Sequence, residues 1–260
     1  MSVLRQKKIA HSIADGGAGE SAGCGHDEIA QQWPSLVRWE SELPAQTGVK
    51  ETVVLVHGLW MHGWVMGPLA WRLRRCGFRV VAFSYPSVRC SLSQNARRLS
   101  RFAAGIVGER LHFVGHSLGG LVLLQMLAEC PEPRTGRVVL MGTPYRASHS
   151  ARKLARIAPG RSLIGHGLAQ WLEQATHAGA ARSEVGAIAG CRSIGFGRLL
   201  GGLPHPNDGV VAVDETRVPG ARDHVVLKVS HSGMLVSAAV ARQVCAFLKD
   251  GHFLQDTEQS

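Results

Sequence analysis

Short apolar runs rich in β-branched residues recur along the chain, and they predict the strands of a parallel sheet. Five of these runs are strong, and a weaker one extends from Glu184 to Ala189. Their consecutive positions are apolar, which is typical of strands buried on both faces. The five strong runs cover residues 52–56, 79–84, 111–114, 137–141 and 225–229.

Stretches with helical spacing of apolar residues separate these runs, at residues 64–75, 92–107, 118–130 and 232–249. Strands that alternate with helices predict an α/β fold with a mostly parallel sheet flanked by helices. The segment from about 145 to 182 is longer than one crossover helix requires, and Pro159-Gly160 breaks it. We therefore predict that this segment is a small helical cap insertion that covers the functional site of the domain.

The two ends of the chain differ in composition from this alternating region. Residues 1–25 are polar and glycine-rich, which predicts a flexible N-terminal segment. Residues 26–50 carry loosely helical apolar spacing interrupted by Pro34, which predicts a helical N-terminal extension. We assign the α/β domain to residues 51–250 and a C-terminal tail to residues 251–260.

Charge and cysteine content limit the classes of partner. The formal net charge is +10, but the arginines are scattered among helices with no lysine-rich tail, so we expect no nucleic-acid partner. An apolar run of membrane-spanning length and the apolar core of a secretory signal are both missing from the sequence, which favours a soluble, cytoplasmic protein with reduced thiols.

The cysteines include no Cys-x-x-Cys pair, and their spacing selects no disulfide; they are Cys24, Cys76, Cys90, Cys130, Cys191 and Cys245. We expect neither a metal nor a cofactor.

The pattern Gly-x-Ser-x-Gly occurs twice, and only one copy has the context that catalysis requires. The copy around Ser21 lies in a polar, glycine-rich stretch with no strand before it. The copy around Ser117 follows the strand at 111–114 directly and opens an apolar helix. A sharp strand-to-helix turn exposes the serine hydroxyl. Ser117 is therefore the predicted nucleophile.

A serine hydroxyl needs a general base, and the base needs a carboxylate to orient it. We predict His231 as the base, because it follows the last strong strand at the edge of the sheet where Ser117 lies. Asp208 is the predicted acid, since it precedes His231 in the chain order serine, acid, histidine. His205 and His224 are weaker bases and Asp214 remains an alternative acid, while Asp223 is at the wrong end of its strand. His112 is expected in the sheet, and His116 is expected to point away from Ser117.

Two backbone N–H groups are needed to bind the oxyanion. The N–H of Leu118 follows the nucleophile, and the loop after the first strand offers the N–H of Leu59 as the second predicted donor. His57 is expected to support this loop through hydrogen bonds. A metal site at His57 and His62 is not expected, because no third ligand is evident.

Five motifs occur in order along the chain: VHGL at 56–59, GHSLGG at 115–120, GTP at 142–144, NDGVV at 207–211 and SHSGM at 230–234. Together they resemble the α/β-hydrolase superfamily, and especially its bacterial lipase and esterase branch. The resemblance implies a triad of Ser117, Asp208 and His231, and ester hydrolysis through an acyl-enzyme. Tyr145 departs from this branch, which usually has His after Gly-Thr-Pro.

A small-molecule acyl ester is the predicted substrate, with Trp60, Met61 and Trp64 as candidate walls of an acyl pocket. The alternative is that these side chains belong to the core. The same triad also serves amidases, thioesterases and acyltransferases, and a non-catalytic binding protein of this fold is a further alternative. The basic, amphipathic cap segment suggests a weak contact with membrane surfaces. The sequence does not determine the oligomeric state.

Overall fold

A six-stranded parallel sheet forms the centre of the structure, a computed structural model that describes residues 51–146, 184–194 and 203–255. The spatial order of the strands is β2-β1-β3-β4-β5-β6, and every neighbouring pair is parallel. The sheet predicted from the apolar runs is therefore confirmed. The strands are β1 (Glu51–Val56), β2 (Arg79–Phe83), β3 (Arg110–His116), β4 (Thr135–Met141), β5 (Val185–Gly190) and β6 (Asp223–Leu227).

Helices cover both faces of the sheet in the described part of the chain. The helices α2 (Leu92–Ala104) and α3 (Leu118–Glu129) pack together on one face. On the other face, α1 (Gly67–Arg75) packs against α4 (Ala238–Asp250). Each face has its own apolar core, so the central strands are buried on both sides, as their unbroken apolar runs predict.

Serine caps determine where two of the helices begin. Ser91 accepts a hydrogen bond from the N–H of Gln94 at 3.2 Å, and its own N–H donates to the Gln94 side chain at 2.9 Å, which forms a capping box before α2. Ser237 accepts from the N–H of Val240 at 3.3 Å and so starts α4. The single helix predicted over 232–249 is consequently wrong: a 3₁₀ turn at Ser232–Leu235 precedes α4.

A disulfide joins Cys76, at the C-terminal end of α1, to Cys245 in α4. The prediction of reduced thiols is wrong for this pair. The two cysteines are 169 residues apart, so only the packing of α1 against α4 brings them together. The bond removes conformational freedom from the unfolded chain and typically stabilises a fold by about 2–4 kcal/mol. Among the described residues, Cys130 and Cys191 are free thiols.

Several predicted segments lie outside the described residues. They are the N-terminal segment 1–25, the helical extension 26–50, nearly all of the cap insertion at 145–182, and the end of the C-terminal tail. Tyr145 and Arg146, at the start of the cap, are described, and Tyr145 is buried. Among the described helices, none has the length and apolar character needed to cross a membrane.

Candidate active site

Ser117 occupies the sharp turn between β3 and α3 at the carboxyl edge of the sheet. Its backbone has φ 53° and ψ −122°, a conformation that a residue with a Cβ rarely adopts. The neighbouring strand fixes this turn, because the Ser117 N–H donates to the carbonyl of Met141 at 2.9 Å. Strained backbone of this kind concentrates at functional sites. It is also the geometry of a nucleophilic serine in this fold.

The glycines around Ser117 let neighbouring backbone approach closely. A Cβ on Gly119 would lie 2.3 Å from the carbonyl oxygen of Val56 and 2.5 Å from that of His57. The start of α3 therefore rests directly on the end of β1. A Cβ on Gly58 would lie 3.2 Å from the Cβ of Ser117, so the loop after β1 lies against the serine.

Asp208 and His231 form a buried hydrogen-bonded pair. The Nδ1 of His231 lies 2.7 Å from Oδ2 of Asp208, and both side chains are almost fully shielded from solvent. The other carboxylate oxygen, Oδ1, accepts the N–H groups of Val210 at 2.9 Å and Val211 at 2.7 Å. These bonds stabilise a charged carboxylate that accepts the Nδ1 proton. Nε2 of His231 is then left as the basic nitrogen.

The loops carrying this pair are fixed to each other and to the sheet. The N–H of His231 donates to the carbonyl of Asp208 at 2.9 Å. Asn207 closes the turn, because its Oδ1 accepts the N–H of Gly209 at 3.0 Å and its Nδ2 donates to the carbonyl of Pro204 at 3.1 Å. A Cβ on Gly190, where β5 ends, would lie 2.8 Å from the Cβ of Asp208. The acid therefore sits at the carboxyl end of β5.

His116 connects the turn of Ser117 with the loop of His231. Its Nε2 donates to the carbonyl of His231 at 3.1 Å, and the two rings lie 4.7 Å apart between centroids. Burial lowers the pKa of His116 to about 3, so its ring is neutral at ordinary pH. Since His116 directly precedes Ser117, this contact places His231 beside the turn of Ser117. Sequence reasoning missed this role, because the contact joins residues 115 positions apart.

Gly142, which follows β4, lies against the side chains of Asp208 and His231. Its φ of 56° lies in the left-handed region that favours glycine. A Cβ there would lie 3.1 Å from Nδ1 of His231 and 3.2 Å from Oδ2 of Asp208. A larger residue at this position would therefore crowd the hydrogen bond between Asp208 and His231. The Gly-Thr-Pro motif at 142–144 was the signal for this position.

The predicted oxyanion donors lie on the two segments that meet at Ser117. Leu118 is the first residue of α3, and Leu59 follows Gly58 in the loop after β1. Among the described residues, neither N–H has a protein acceptor. Both N–H groups are thus available to an oxyanion; that of Leu118 is available because the first N–H groups of a helix have no acceptor within the helix.

The prediction that His57 supports this loop is confirmed. Its Nδ1 donates to the carbonyl of Gly58 at 2.8 Å, and its Nε2 accepts the N–H of Tyr85 at 3.3 Å. The Tyr85 hydroxyl in turn donates to the carbonyl of His57 at 2.8 Å, and the two rings stack. Burial lowers the pKa of His57 to about 4, so this neutral tautomer persists at ordinary pH.

The candidate pocket residues follow the same loop. Trp60 and Trp64 are exposed over 58% and 61% of their surface, and Met61 is half-buried. The alternative that the two tryptophans belong to the core is therefore wrong. Their role as walls of an acyl pocket stays a prediction.

The other candidate acids and bases have different partners in the described structure. Asp214 is exposed and pairs with Arg217 at 3.4 Å, while Asp223 accepts the N–H of Phe253 at the start of β6. His112 is buried inside β3, as predicted. His224 contacts the hydroxyl of Thr216. No cluster of three or more His, Cys, Asp or Glu side chains suited to a metal occurs in the described ranges.

A serine on a strained turn after the third strand, with an acid and a histidine on later loops, is the arrangement of an α/β hydrolase. Residues 53–255 match the sequence model of the alpha/beta hydrolase family. The chain belongs to this family.

Solved structures share the fold at low sequence identity. A Bacillus licheniformis lipase, BlEst2 in its propeptide form, is 17% identical with a TM-score of 0.63, and the match covers 84% of this chain and 53% of the lipase. A metagenomic carboxyl esterase is 20% identical with a TM-score of 0.56, and the match covers 71% of this chain and 65% of that one. Polyneuridine aldehyde esterase is 16% identical with a TM-score of 0.52, over 77% and 98% of the two chains.

The matched part of this chain thus spans about half the length of that lipase and about two thirds of the carboxyl esterase. Identities this low show the fold alone. No curated protein matches the chain.

Proposed function

We propose that this hydrolase cleaves a hydrophobic carboxylic ester through an acyl-enzyme on Ser117. The single observation that carries the proposal is the buried 2.7 Å hydrogen bond between Asp208 and His231 beside the strained turn of Ser117. A buried carboxylate bonded to Nδ1 keeps the proton off Nε2 and stabilises the imidazolium that forms in catalysis.

The proposed reaction has two steps. In the first, Nε2 of His231 takes the proton of Ser117 as its Oγ attacks the ester carbonyl, and the oxyanion accepts hydrogen bonds from Leu59 and Leu118. Collapse of this intermediate breaks the bond to the alcohol, which leaves with the proton from His231. In the second step His231 activates a water, which attacks the acyl-enzyme, and the acid departs as Ser117 regains its proton.

The surroundings of the site favour a hydrophobic acyl compound such as the proposed ester. Half-buried Leu59 and Met61 and exposed Trp60 lie on the loop that carries the proposed oxyanion donor, so apolar side chains border the place of the acyl group. The lipase and esterase names of the similar structures point the same way. An amidase, a thioesterase or an acyltransferase would use the same triad. A binding protein without catalysis would not need the bond between Asp208 and His231.

A panel of p-nitrophenyl esters of rising acyl length, run on the wild type and on Ser117→Ala, tests the proposal. We expect hydrolysis by the wild type and a loss of about 10³-fold or more in kcat for Ser117→Ala. Ser21→Ala, in the other copy of the serine pattern, is the matched control and should behave like the wild type. Amide and thioester analogues of the best acyl group separate the competing activities. Faster turnover of either analogue would contradict the ester assignment.

Partners and location stay proposals as well. A cytoplasmic location was expected from the sequence, but the Cys76–Cys245 disulfide argues for an oxidising compartment, where structural disulfides persist. The lipid contact predicted for the basic cap falls on residues outside the described part of the chain.

A further inference from the structure

The outer face of α1 and of the turn before it carries a stripe of exposed side chains. Met66, Leu69 and Leu73 point into the core, as expected for an amphipathic segment. The stripe on the opposite face follows the helical spacing i, i+4, i+7, i+11 and consists of Trp64, Pro68, Trp71 and Arg75.

Two tryptophans on this stripe are exposed to a degree that is unusual for so large an apolar side chain. Trp64 is 61% exposed and Trp71 is 52% exposed. Tryptophan is normally well buried, and a cluster of exposed apolar side chains marks an interaction surface. The stripe also begins five residues after Leu59, so it continues the loop that borders Ser117.

An apolar cleft opens beside the stripe. It has a volume of about 440 Å³, and its lining includes Trp64, Met66, Ala70 and Ala82. A Cβ added to Gly67, which also lines the cleft, would meet no atom within 4 Å. The surface therefore offers an opening that an apolar group can enter.

Positive charge lies against one of these tryptophans, Trp71. The guanidinium carbon of Arg75 lies 4.8 Å from the ring centroid of Trp71, and that of Arg72 lies 5.8 Å from it. Residues 52–108 include no Asp or Glu, so no carboxylate from this part of the chain balances the arginines. The whole chain also carries a net charge of +10.

We propose that this surface, the α1 stripe of Trp64, Pro68, Trp71 and Arg75 with Arg72, docks on an anionic lipid bilayer. Tryptophan rings favour the headgroup region of a bilayer, and arginine reaches lipid phosphates from there. An acidic protein would complement the charge, but it would fill the apolar cleft only if it also presented an apolar side chain there. Lipid supplies both the anionic headgroups and the acyl chains. The proposal goes beyond ester hydrolysis and does not depend on Ser117.

Co-sedimentation with vesicles tests the docking. The vesicles are phosphatidylcholine alone, or phosphatidylcholine with about 30 mol% phosphatidylglycerol. We expect the wild type to bind the anionic vesicles and to be released by about 0.5 M NaCl. The double variants Trp64→Ala/Trp71→Ala and Arg72→Gln/Arg75→Gln should each bind at least about tenfold more weakly.

The matched control removes the same amount of charge from the other face of the sheet. Arg97→Gln/Arg101→Gln lies on an exposed part of α2 and should bind within about twofold of the wild type. Equal weakening by this control would overturn the proposal, because net charge alone would then explain binding. Equal binding to neutral vesicles would overturn the anionic specificity. Binding to an acidic polypeptide or to DNA, with no binding to either vesicle, would overturn the lipid as occupant.

Discussion

Lowering the pH below about 6.5 should destabilise this fold, because two histidines are buried in their neutral forms. The pKa is lowered by burial to about 4 for His57 and to about 3 for His116. An unfolded histidine has a pKa of about 6.5. The unfolded chain therefore binds more protons than the folded chain below that pH. Stability is intact above about pH 6.5 and falls as the pH drops toward the folded pKa values.

The size of the effect follows from these pKa values. Between pH 7 and pH 4.5, a histidine whose pKa is lowered from about 6.5 to about 4 removes about 2–3 kcal/mol from the free energy of unfolding, and one whose pKa is lowered to about 3 removes nearly the same amount. His57 and His116 together should lower the free energy of unfolding by about 5 kcal/mol. His112 and His224 also have pKa values lowered by burial, so they act in the same direction.

Urea unfolding at a series of pH values between 7 and 4.5 measures this loss. His57→Asn removes one of the titrating groups, so its stability should fall by about 2 kcal/mol less than that of the wild type over the same range. His62→Asn, which removes an exposed histidine from the same loop, should follow the wild type. A wild type whose stability is constant over this range would refute the reasoning. Parallel profiles for the wild type and His57→Asn would refute it as well.

Three substitutions test other parts of the structure. Asp208→Asn should lower kcat about 10³- to 10⁴-fold with little change in stability, because the amide no longer holds the correct tautomer of His231; an unchanged kcat would exclude this acid. His116→Phe removes the donor to the His231 carbonyl and should lower kcat about tenfold with KM unchanged. His116→Gln keeps a side-chain donor and should recover part of the lost kcat. An equal loss of kcat in both variants would mean that His116 only packs against its neighbours. Cys76→Ser should lower the free energy of unfolding by about 2–4 kcal/mol, and dithiothreitol should not lower the stability of this variant further. A wild type whose stability does not respond to dithiothreitol would argue against the disulfide with Cys245.

The strands were the most predictable part of the fold, because a strand buried on both faces needs an unbroken apolar run. The boundaries of β6 were less predictable. The strand begins at Asp223 and ends at Leu227, whereas the apolar run covers 225–229. Asp223 and His224 pair with Gly186 and Ala187 of β5 although they are polar. Backbone hydrogen bonds define where the strand begins and ends. The side chains of the strand are apolar only where helices or loops bury it, so the sequence pattern marks only that part.

The placement of the three candidate triad residues at one edge of the sheet was predictable for a different reason. Ser117, Asp208 and His231 each follow a strand of a parallel sheet, and the carboxyl ends of such strands lie at one edge. The role of His116 and the disulfide could not be predicted in this way. Each joins segments more than a hundred residues apart through packing that leaves no local pattern in the sequence.

Reaction with a fluorophosphonate probe, followed by mass mapping of the labelled peptide, identifies the nucleophile. The reagent forms a stable bond only with a serine activated by a base and an oxyanion site. We expect a single label on Ser117, retained in Ser21→Ala and abolished in Ser117→Ala and His231→Ala. A folded wild type that takes up no label, or a label that persists in Ser117→Ala, would exclude Ser117 as the nucleophile.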